Sequence, residues 1–351
     1  MDFSIIVPTL NRPDFLLRLI RYYDALHFEG RILIGDSSTV EIFQDTAQKI
    51  KKIKGRLNIL HSHLPGRSVA AAVAEMNEHL ETAYVCLTGD DDFIVPDSAA
   101  KCIEFLNQNL DYVAAHGKGV LITTETGTKT TLLGVSDYPQ TIIHHDRASD
   151  RAAYHLEHYS VSLFSVHKAA VWRKMFLDTP AAHKSPLCSD KAFADELLPC
   201  TLSAVSGKIG QISGLYLVRE THAARYLLPS WFTWINSEKW QPSFVYFRNK
   251  LAQTISEIDG IPLTTCDALV ETSFSKYLKQ CIGQPEPQTG WLRTQASRVP
   301  FFRNTWRLFR KWCDLILPGR DTTLAGMLSP RSVHFRDFQP IYNAVTSPKS
   351  R

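Results

Sequence analysis

Short apolar runs alternate with longer amphipathic stretches over the first 120 residues, and this alternation constrains the fold more than any other feature. The apolar runs, which predict buried strands, span 3–7, 31–34, 57–60, 84–87 and 112–115. The stretches between them carry apolar residues at helical spacing, and two begin with the helix-initiating Pro13 and Pro96. Strands joined by helices form βαβ units. The sequence therefore predicts an α/β, Rossmann-like fold with a mostly parallel central sheet and flanking helices.

The pattern changes after residue 115. A hairpin is predicted over 119–141, helices over 167–176 and 190–205, and a strand over 210–218. After residue 228, long helical stretches rich in aromatic residues predict a helical C-terminal region. Trp231, Trp234 and Trp240 recur there at helical spacing, which favours an aromatic core over a platform that stacks on sugar rings.

The net charge of +4 conceals an uneven distribution of charged residues. Residues 291–351 contain 11 Lys or Arg against three Asp or Glu, which predicts an anionic partner such as a membrane surface or a phosphorylated acceptor. Within this segment, residues 301–317 place Phe and Trp at helical spacing among basic residues. Such a basic amphipathic helix either lies in a membrane interface or packs on the rest of the protein with its arginines in solvent. No nucleic-acid partner is expected.

The cysteines and the N-terminal sequence bear on the cellular location. Seven cysteines are scattered without a C-x-x-C pair, which indicates neither a zinc site nor a redox motif and favours reduced thiols. The first residues lack the basic and apolar regions of a signal peptide, and no run of 18 apolar residues occurs. These features predict a cytoplasmic protein, with attachment to the inner face of the membrane left open.

Aspartates follow two of the predicted strands. Asp36 ends the second, and Asp90, Asp91 and Asp92 come soon after the fourth. In parallel sheets, ligands bind at the carboxyl ends of the strands. Three adjacent carboxylates repel each other unless a cation or solvent compensates them, and Mg²⁺ and Mn²⁺ prefer carboxylate together with diphosphate oxygens. The cluster therefore predicts a divalent metal site, against the alternative of a solvated acidic turn that caps the helix at Pro96.

Three motifs occur in order: SIIVPTLNR at 4–12, GDSS at 35–38 and the triple Asp at 90–92. Their order and spacing resemble those of family-2 glycosyltransferases, whose opening strand, second-strand turn and DxD motif they match. The resemblance implies a GT-A fold over residues 1–226, followed by a helical C-terminal region over 227–351. It also implies an enzyme that transfers a sugar from a nucleotide-sugar donor, with a UDP-sugar favoured, with inversion at the anomeric carbon, and with Mn²⁺ or Mg²⁺ as cofactor.

The resemblance also assigns a donor site and a metal site. The residues it implies for donor binding are Pro8, Thr9, Asn11, Arg12, Asp36, Asp90 and Asp91. Among them, Asp36 would accept a hydrogen bond from the nucleotide base, commonly uracil N3–H. Asp92, Asp90 and His222 would hold the metal, since His222 ends a segment that resembles the family's YRxH motif.

Three arginines have candidate roles beside the donor. Arg219, within the YRxH-like segment, or Arg225, just after it, would offset the charge of the departing diphosphate. Arg67 precedes a predicted helix N-terminus. That position suits contact with the donor diphosphate or base, and it suits a plain exposed loop arginine equally well.

An inverting transferase needs a base that removes the proton of the acceptor hydroxyl. The segment around Asp195 and Glu196, about 100 residues after the triple Asp, resembles the family's ED-x-x-L stretch. Aligning it gives Asp195 as the base and Glu196 as the next candidate, although Ala194 stands where the family has Glu. Asp190 is a third candidate. The alternative is that these acids form the first turn of a helix and interact with its dipole.

Two other functions compete with glycosyl transfer to a saccharide or lipid-linked acceptor, as in surface polysaccharide or glycoconjugate synthesis. A sugar-phosphate nucleotidyltransferase also uses a Rossmann-like sheet, but that class needs a Gly-rich loop after the first strand, and here the loop contains no glycine. A non-catalytic nucleotide-sugar-binding protein is the second alternative. The intact triple Asp and the acids at 195–196 argue against it.

Overall fold

The computed structural model describes residues 1–53, 55–126, 130–177, 188–223, 230–283 and 322–347. Nine strands of these residues form one sheet. The strands are β1 (Phe3–Thr9), β2 (Arg31–Asp36), β3 (Asn58–His63), β4 (Tyr84–Leu87), β5 (Phe93–Ile94), β6 (Tyr112–Thr126), β7 (Thr130–Tyr138), β8 (Val166–Lys168) and β9 (Lys208–Thr221).

Helices lie between the strands and follow the last of them. They are α1 (Pro13–Ala25), α2 (Val40–Ile53), α3 (Val69–Asn77), α4 (Pro96–Gln108), α5 (Ala148–Glu157), α6 (Ala169–Leu177), α7 (Leu198–Ser206), α8 (Trp231–Ile235), α9 (Trp240–Asp259), α10 (Leu263–Gly283), α11 (Leu324–Met327) and α12 (Phe335–Thr346). A π-helical turn, Phe193–Leu197, leads directly into α7.

The sheet has the strand order β3-β2-β1-β4-β8-β6-β9-β5, and β7 pairs with β6. β1 is parallel to β2 and β4, β2 is parallel to β3, and β6 is parallel to β9. Because β8 is antiparallel to both β4 and β6, those two strands also run in the same direction. The predicted mostly parallel sheet is therefore confirmed, and β1, β2, β4 and β9 all end at one edge.

The first βαβ units follow from the local sequence. β1 is almost entirely buried, as expected for a strand with helices on both faces of the sheet. α1 begins at Pro13, whose fixed φ suits a first helical turn, and Leu16 and Ile20 lie on its buried side. Similar packing of the other helices leaves the strand ends, rather than the strand faces, available to a ligand.

The region after β4 differs in several respects from the sequence prediction, which lacked β5, β8 and α5 and began a helix at residue 167. Residues 112–115 and the first arm of the predicted hairpin form a single 15-residue strand, β6. The glycine at 117 looks like a strand end in the sequence, but it permits close contact between strands instead. A Cβ added to Gly117 would lie 2.8 Å from the carbonyl oxygen of Gly214 in β9. The hairpin itself is confirmed as β6 and β7.

The C-terminal helices pack onto the sheet domain through aromatic residues. Phe193 of the π-helical turn lies 5.2 Å from Trp234, 5.4 Å from Phe247 and 5.7 Å from Phe274, measured between ring centroids. Trp240 joins the same cluster at 6.0 Å from Phe193. Trp234 and Trp240 are therefore part of an aromatic core, as the sequence favoured.

The division at residue 226 remains a prediction, because the described C-terminal helices share one hydrophobic core with the sheet. The predicted basic helix at 301–317 lies outside the described residues. Across the ranges that are described, no helix combines the length and the apolar composition needed to cross a bilayer.

His155 is fully buried in α5, and neither of its ring nitrogens has a hydrogen-bond partner. Burial lowers its pKa to about 4, because the charged imidazolium would lose its hydration without gaining a partner. In the unfolded chain the imidazole titrates near its ordinary pKa of about 6.5. Between these two values the unfolded state binds more protons, so the free energy of unfolding falls as the pH falls below about 6.5.

We predict that His155→Leu removes part of this acid sensitivity. The loss of unfolding free energy between pH 6.5 and pH 5 should shrink by about 1–2 kcal/mol, measured by urea denaturation at each pH. His158→Leu, on the exposed side of the helix end, is the matched control and should leave the pH slope unchanged. Equal pH slopes for the wild type and His155→Leu would contradict the assignment.

Candidate active site

The ends of β1, β2 and β4 are joined by direct hydrogen bonds. Thr9 is the register partner of Asp36, and the Ser37 amide donates to the Thr9 carbonyl over 2.9 Å. The Thr9 hydroxyl in turn donates to Asp90 Oδ2 over 2.6 Å. Thr9 therefore connects the end of β2, where Asp36 lies, to Asp90 after β4, as expected for parallel strands that end at one edge of the sheet.

Asp36 is almost completely buried and fixes the turn after β2. One of its carboxylate oxygens accepts from the Ser38 amide, and the other lies 2.9 Å from His61 Nε2. Burial alone would raise the pKa of Asp36, but the hydrogen bonds from His61 and Ser38 outweigh it and lower that pKa. The residue that reaches the neighbouring cavity is Ser37 rather than Asp36.

The loop after β1 is locked onto this turn. Asn11 has a φ of +53°, in the left-handed region that Asn tolerates better than most residues. Its amide donates to Ser38 Oγ over 2.7 Å, and its side-chain oxygen accepts from the Thr39 amide over 3.1 Å. Asn11 therefore shapes the loop that presents Arg12, and it is not among the residues that line the cavity.

Arg12 pairs with the first two carboxylates of the triple Asp. Its guanidinium lies 3.2 Å from Asp90 Oδ1 and in direct contact with Asp91 Oδ2. His222 Nε2 lies 3.0 Å from the same Asp91 oxygen and 3.2 Å from the Arg12 guanidinium. The structure therefore brings His222 to the middle aspartate of the cluster, whereas the sequence prediction grouped it with Asp92 and Asp90.

Arg219 pairs with the third carboxylate. Its Nε lies 3.0 Å from Asp92 Oδ2, and the amide of Glu220 donates to the other Asp92 oxygen over 3.0 Å. The guanidinium is packed between two aromatic rings, with Phe164 at 4.3 Å and Tyr138 at 5.1 Å from its central carbon. Arg219 NH1 also donates to the Tyr138 hydroxyl over 3.1 Å.

The three adjacent carboxylates have very different pKa values. Burial raises the pKa of Asp90 to about 7 and that of Asp92 to about 6, although Arg12 and Arg219 oppose the shift. Burial acts in the same direction on Asp91, but the hydrogen bond from His222 and the charge of Arg12 outweigh it and lower the pKa to about 2. Asp91 is thus the member of the cluster that is fully ionised at neutral pH.

Phe15 on α1 organises the basic side of this cluster. The His222 ring stacks on it at a centroid distance of 4.6 Å and an interplanar angle of 16°. The guanidinium groups of Arg12 and Arg18 lie 4.5 Å and 4.9 Å from the centre of the same ring. The sequence analysis did not single out Phe15, because its signal there is only a helix residue three positions after Arg12.

A cavity of about 510 Å³ opens at this edge of the sheet. Its size lies within the range typical of small-molecule sites. The predicted site residues that line it are Pro8, Thr9, Arg12, Arg67, Asp90, Asp91, Asp92, Asp195, Glu196 and Arg219. Asn11, Asp36 and His222 support this lining from behind, and Arg225 lies outside the described residues. Tyr138, Phe164 and Lys191 also line the cavity and were not predicted.

The two candidate bases face the cavity from the π-helical turn. Asp195 Oδ1 accepts from the amide of Ala70 at the beginning of α3, over 2.9 Å. Glu196 Oε1 accepts from the Tyr159 hydroxyl over 3.0 Å, and burial raises the pKa of Glu196. A π-helical turn alters the angle between successive side chains, and such turns are frequent at functional sites.

Asp190 has a different role from Asp195 and Glu196. Its Oδ1 accepts from the amides of Ala192 and Phe193, over 3.0 Å and 3.3 Å, at the beginning of the helical segment. The same oxygen accepts from Trp234 Nε1 over 2.8 Å. Asp190 therefore holds the π-helical turn against the C-terminal helices, and it is absent from the residues that line the cavity.

Comparison with known proteins identifies the class. Residues 4–177 match the family model described as glycosyl transferase family 2. This segment, which contains β1, Asp36 and the triple Asp, belongs to glycosyl transferase family 2, as its motifs predicted.

The fold is similar to that of TarS from S. aureus. Residues 1–349 of TarS align with 84% of this chain and 77% of that chain, at 15% sequence identity and a TM-score of 0.51. The complex of the same TarS fragment with UDP-GlcNAc aligns at 17% identity and a TM-score of 0.51, over 80% of this chain and 73% of that one. The UDP complex gives 16% identity and a TM-score of 0.50, over 85% and 78%. No curated protein sequence matches the chain.

We predict that Arg219→Met destabilises the fold, because it leaves the buried Asp92 carboxylate without its ion-pair partner. The free energy of unfolding should fall by about 2 kcal/mol, measured by urea denaturation at pH 7. Arg248→Met is the matched control: its partners Asp267 and Glu271 are partly exposed, so the loss should stay below about 1 kcal/mol. Equal losses for the two variants would show that the Asp92 pair adds nothing beyond a surface ion pair.

Proposed function

We propose that the protein is an inverting glycosyltransferase that moves a sugar from a nucleoside-diphosphate sugar, with a UDP-sugar as the preferred donor, to an acceptor hydroxyl. The observation that carries the proposal is the composition of one cavity. The triple Asp and two arginines form one part of its wall, and Asp195 and Glu196 form another. A displacement at a sugar carbon needs both groups, one to stabilise the leaving diphosphate and one to activate the acceptor.

The donor nucleotide fits the end of the cavity formed by Pro8, Thr9 and Ser37. Arg67 lines the same cavity and is held by an ion pair with Glu75 over 3.0 Å. Arg12 and Arg219 are the cations nearest the acidic cluster, and either can donate to diphosphate oxygens. The complexes of the TarS fragment with UDP and with UDP-GlcNAc make UDP-GlcNAc the first donor to test.

The role proposed for Asp36 is to hold the turn that contacts the base. It is sealed behind Ser37 by His61 and by the Ser38 amide, so its direct hydrogen bond to uracil, implied by the family resemblance, remains a prediction. Each carboxylate oxygen retains a second lone pair, which keeps that contact chemically feasible. Ser37, which reaches the cavity, is the more accessible partner for a base.

The acidic cluster suits a divalent cation such as Mn²⁺ or Mg²⁺. Asp91 Oδ2 and His222 Nε2 are 3.0 Å apart, close to the separation of about 3 Å between two neighbouring ligands of an octahedral ion. No group of three or more His, Cys, Asp or Glu side chains surrounds a common point within the described ranges. Donor diphosphate and water would therefore complete the coordination, as is usual for Mg²⁺.

Asp91 and His222 are the residues that we propose hold the cation, with Asp90 beside them. His222 would bind through Nε2 in the tautomer that carries its proton on Nδ1, in place of its hydrogen bond to Asp91. Asp91 is the most accessible of the three carboxylates, its side chain being 11% exposed against 3% for Asp90 and for Asp92. Asp92 is less exposed than Asp91, and its two oxygens pair with Arg219 and the Glu220 amide rather than with His222, so its predicted role as a direct ligand has less support from the geometry. A bound cation would offset the charge that develops on the departing nucleoside diphosphate.

The acceptor proton goes to Asp195 in this proposal, with Glu196 as the second candidate. The Ala70 amide orients Asp195 by donating to its Oδ1, while Glu196 has the raised pKa that makes a carboxylate a stronger base. A saccharide or lipid-linked acceptor is proposed on the basis of the family, and contact with a membrane through residues 301–317 rests on their sequence alone.

Two alternatives are less well supported. A sugar-phosphate nucleotidyltransferase would need a glycine-rich loop for a triphosphate, whereas Asn11 and Ser38 fix the loop after β1 by side-chain hydrogen bonds. A protein that only binds nucleotide sugars has no need for two carboxylates opposite the acidic cluster.

The donor is tested by a screen of UDP-, GDP- and dTDP-sugars with Mn²⁺, read by released nucleotide. We expect turnover with a UDP-sugar, and NMR of the product should show the anomeric configuration inverted. Asp91→Asn should lower turnover by at least about 100-fold, since the cluster then loses the carboxylate that faces His222. Retained activity in Asp91→Asn, or retention of configuration, would contradict the proposal.

The base is tested with isosteric variants. Asp195→Asn keeps an acceptor for the Ala70 amide but cannot take a proton, so kcat should fall by at least about 100-fold while UDP affinity stays within about twofold. Glu196→Gln is measured in parallel. If Glu196 is the base instead, its raised pKa places an acidic limb in the pH–rate profile, with activity lost as the pH falls through that pKa, and Glu196→Gln abolishes turnover.

Asp259→Asn is the matched control for these two variants. Asp259 caps α5 by accepting from the amides of Ala148 and Ser149, so it has the same chemistry as Asp195 but lies apart from the cavity lining. We expect its activity to remain within about twofold of the wild type. Unchanged turnover in both Asp195→Asn and Glu196→Gln would show that neither residue is the base.

A further inference from the structure

The sequence predicted Arg12 as a donor-binding residue, but it did not predict that Arg12 contacts the acidic cluster. Its guanidinium contacts Asp90, Asp91 and His222, the last two of which form the proposed cation site. The single positive charge of Arg12 therefore compensates part of the negative charge of these carboxylates. A second cation at the same oxygens would be repelled by Arg12 at contact distance.

The charges of the cavity explain why Arg12 is needed there. Its guanidinium lies 3.2 Å from Asp90 and in direct contact with Asp91, and both carboxylates are largely buried. Two such carboxylates repel each other unless a cation lies beside them. Arg12 supplies that positive charge.

The arrival of donor and cation changes this balance without changing the total charge. A divalent cation and the diphosphate of a nucleotide sugar carry equal and opposite charges, so their joint binding leaves the net charge of the cavity unchanged. Arg12 can then exchange its carboxylate partners for diphosphate oxygens, which accept the same two parallel N–H donors. The Phe15 ring lies 4.5 Å from the guanidinium and supports it by a cation–π contact.

We propose that Arg12 is a built-in counter-ion of the acidic cluster: it holds the place of the divalent cation in the donor-free protein and turns to the donor diphosphate when the carboxylates bind that cation. The inference rests on the proposed function for its cation and its donor. It predicts that Arg12 weakens cation binding when no donor is bound and strengthens donor binding when the cation is present.

Binding of Mn²⁺ to the donor-free protein, measured by the free-ion EPR signal, tests the first half. Arg12→Gln should bind Mn²⁺ about tenfold more tightly than the wild type, a change that corresponds to about 1.4 kcal/mol. Arg18→Gln is the matched control, because Arg18 stacks on the same Phe15 ring but pairs with Glu220. It should change the Mn²⁺ affinity by less than about twofold. Unchanged or weaker Mn²⁺ binding in Arg12→Gln would overturn the proposal.

The second half is tested with UDP. Arg12→Gln should bind UDP in the presence of Mn²⁺ more weakly than the wild type does, by titration calorimetry. Tighter Mn²⁺ binding together with unchanged UDP binding would overturn the exchange of partners. If neither protein binds Mn²⁺ but both bind UDP in EDTA, the role of Arg12 is overturned while the nucleotide site stands. If UDP does not bind either, the proposed function fails as well.

A measurement on the wild type covers the case in which Arg12→Gln does not fold. The Arg12 Nε–H signal in a protein labelled with ¹⁵N-arginine is assigned by its loss in Arg12→Lys. We expect saturating Mg²⁺ to shift this signal and to speed its exchange with solvent, because the guanidinium leaves the carboxylates. A signal that Mg²⁺ leaves unchanged would overturn the proposal.

Discussion

The arrangement of the site depends on the neutralisation of three adjacent carboxylates at the end of β4. Arg12 compensates Asp90 and Asp91 from the loop after β1, and Arg219 compensates Asp92 from the end of β9. One partner precedes the cluster in the sequence and the other follows it, both at a long distance along the chain. The cluster is therefore stable only when the sheet has brought its strand ends together. The aromatic residues that support the arginines, Phe15 and Phe164, then become part of the same constraint.

Much of the fold was predictable because its signals are local. Short apolar runs, helical spacing and Pro13 or Pro96 at helix starts specify the βαβ units, and β4 was predicted to the residue. The short strands β5 and β8 and the helix α5 were not predicted, and β6 was divided, because Gly117 looks like a strand end when the chain is considered alone. Its actual role, close contact with Gly214 of β9, depends on a partner almost 100 residues away and has no local signal.

The candidate site was predictable to the extent that the family motifs contain it. Ten of the predicted site residues line one cavity, and they include the acidic cluster with its two arginines as well as the two candidate bases. The motifs did not indicate which oxygen faces which partner, so His222 was grouped with Asp92, whereas it contacts Asp91. Such details depend on side-chain packing, for example on the Phe15 ring that positions His222, and sequence spacing does not encode them.

The two-residue strand β5 has a consequence for how this family member can vary. Phe93 of β5 pairs with Val218 of β9 in antiparallel register. Because the two strands run in opposite directions, Asp92, just before Phe93, lies beside Arg219, just after Val218. The pairing of β5 with β9 therefore fixes the distance between two segments that are far apart along the chain. Insertions or deletions in the loops between Ile94 and Leu217 need not disturb the spacing of this ion pair, provided that Tyr138 and Phe164 keep their contacts with Arg219.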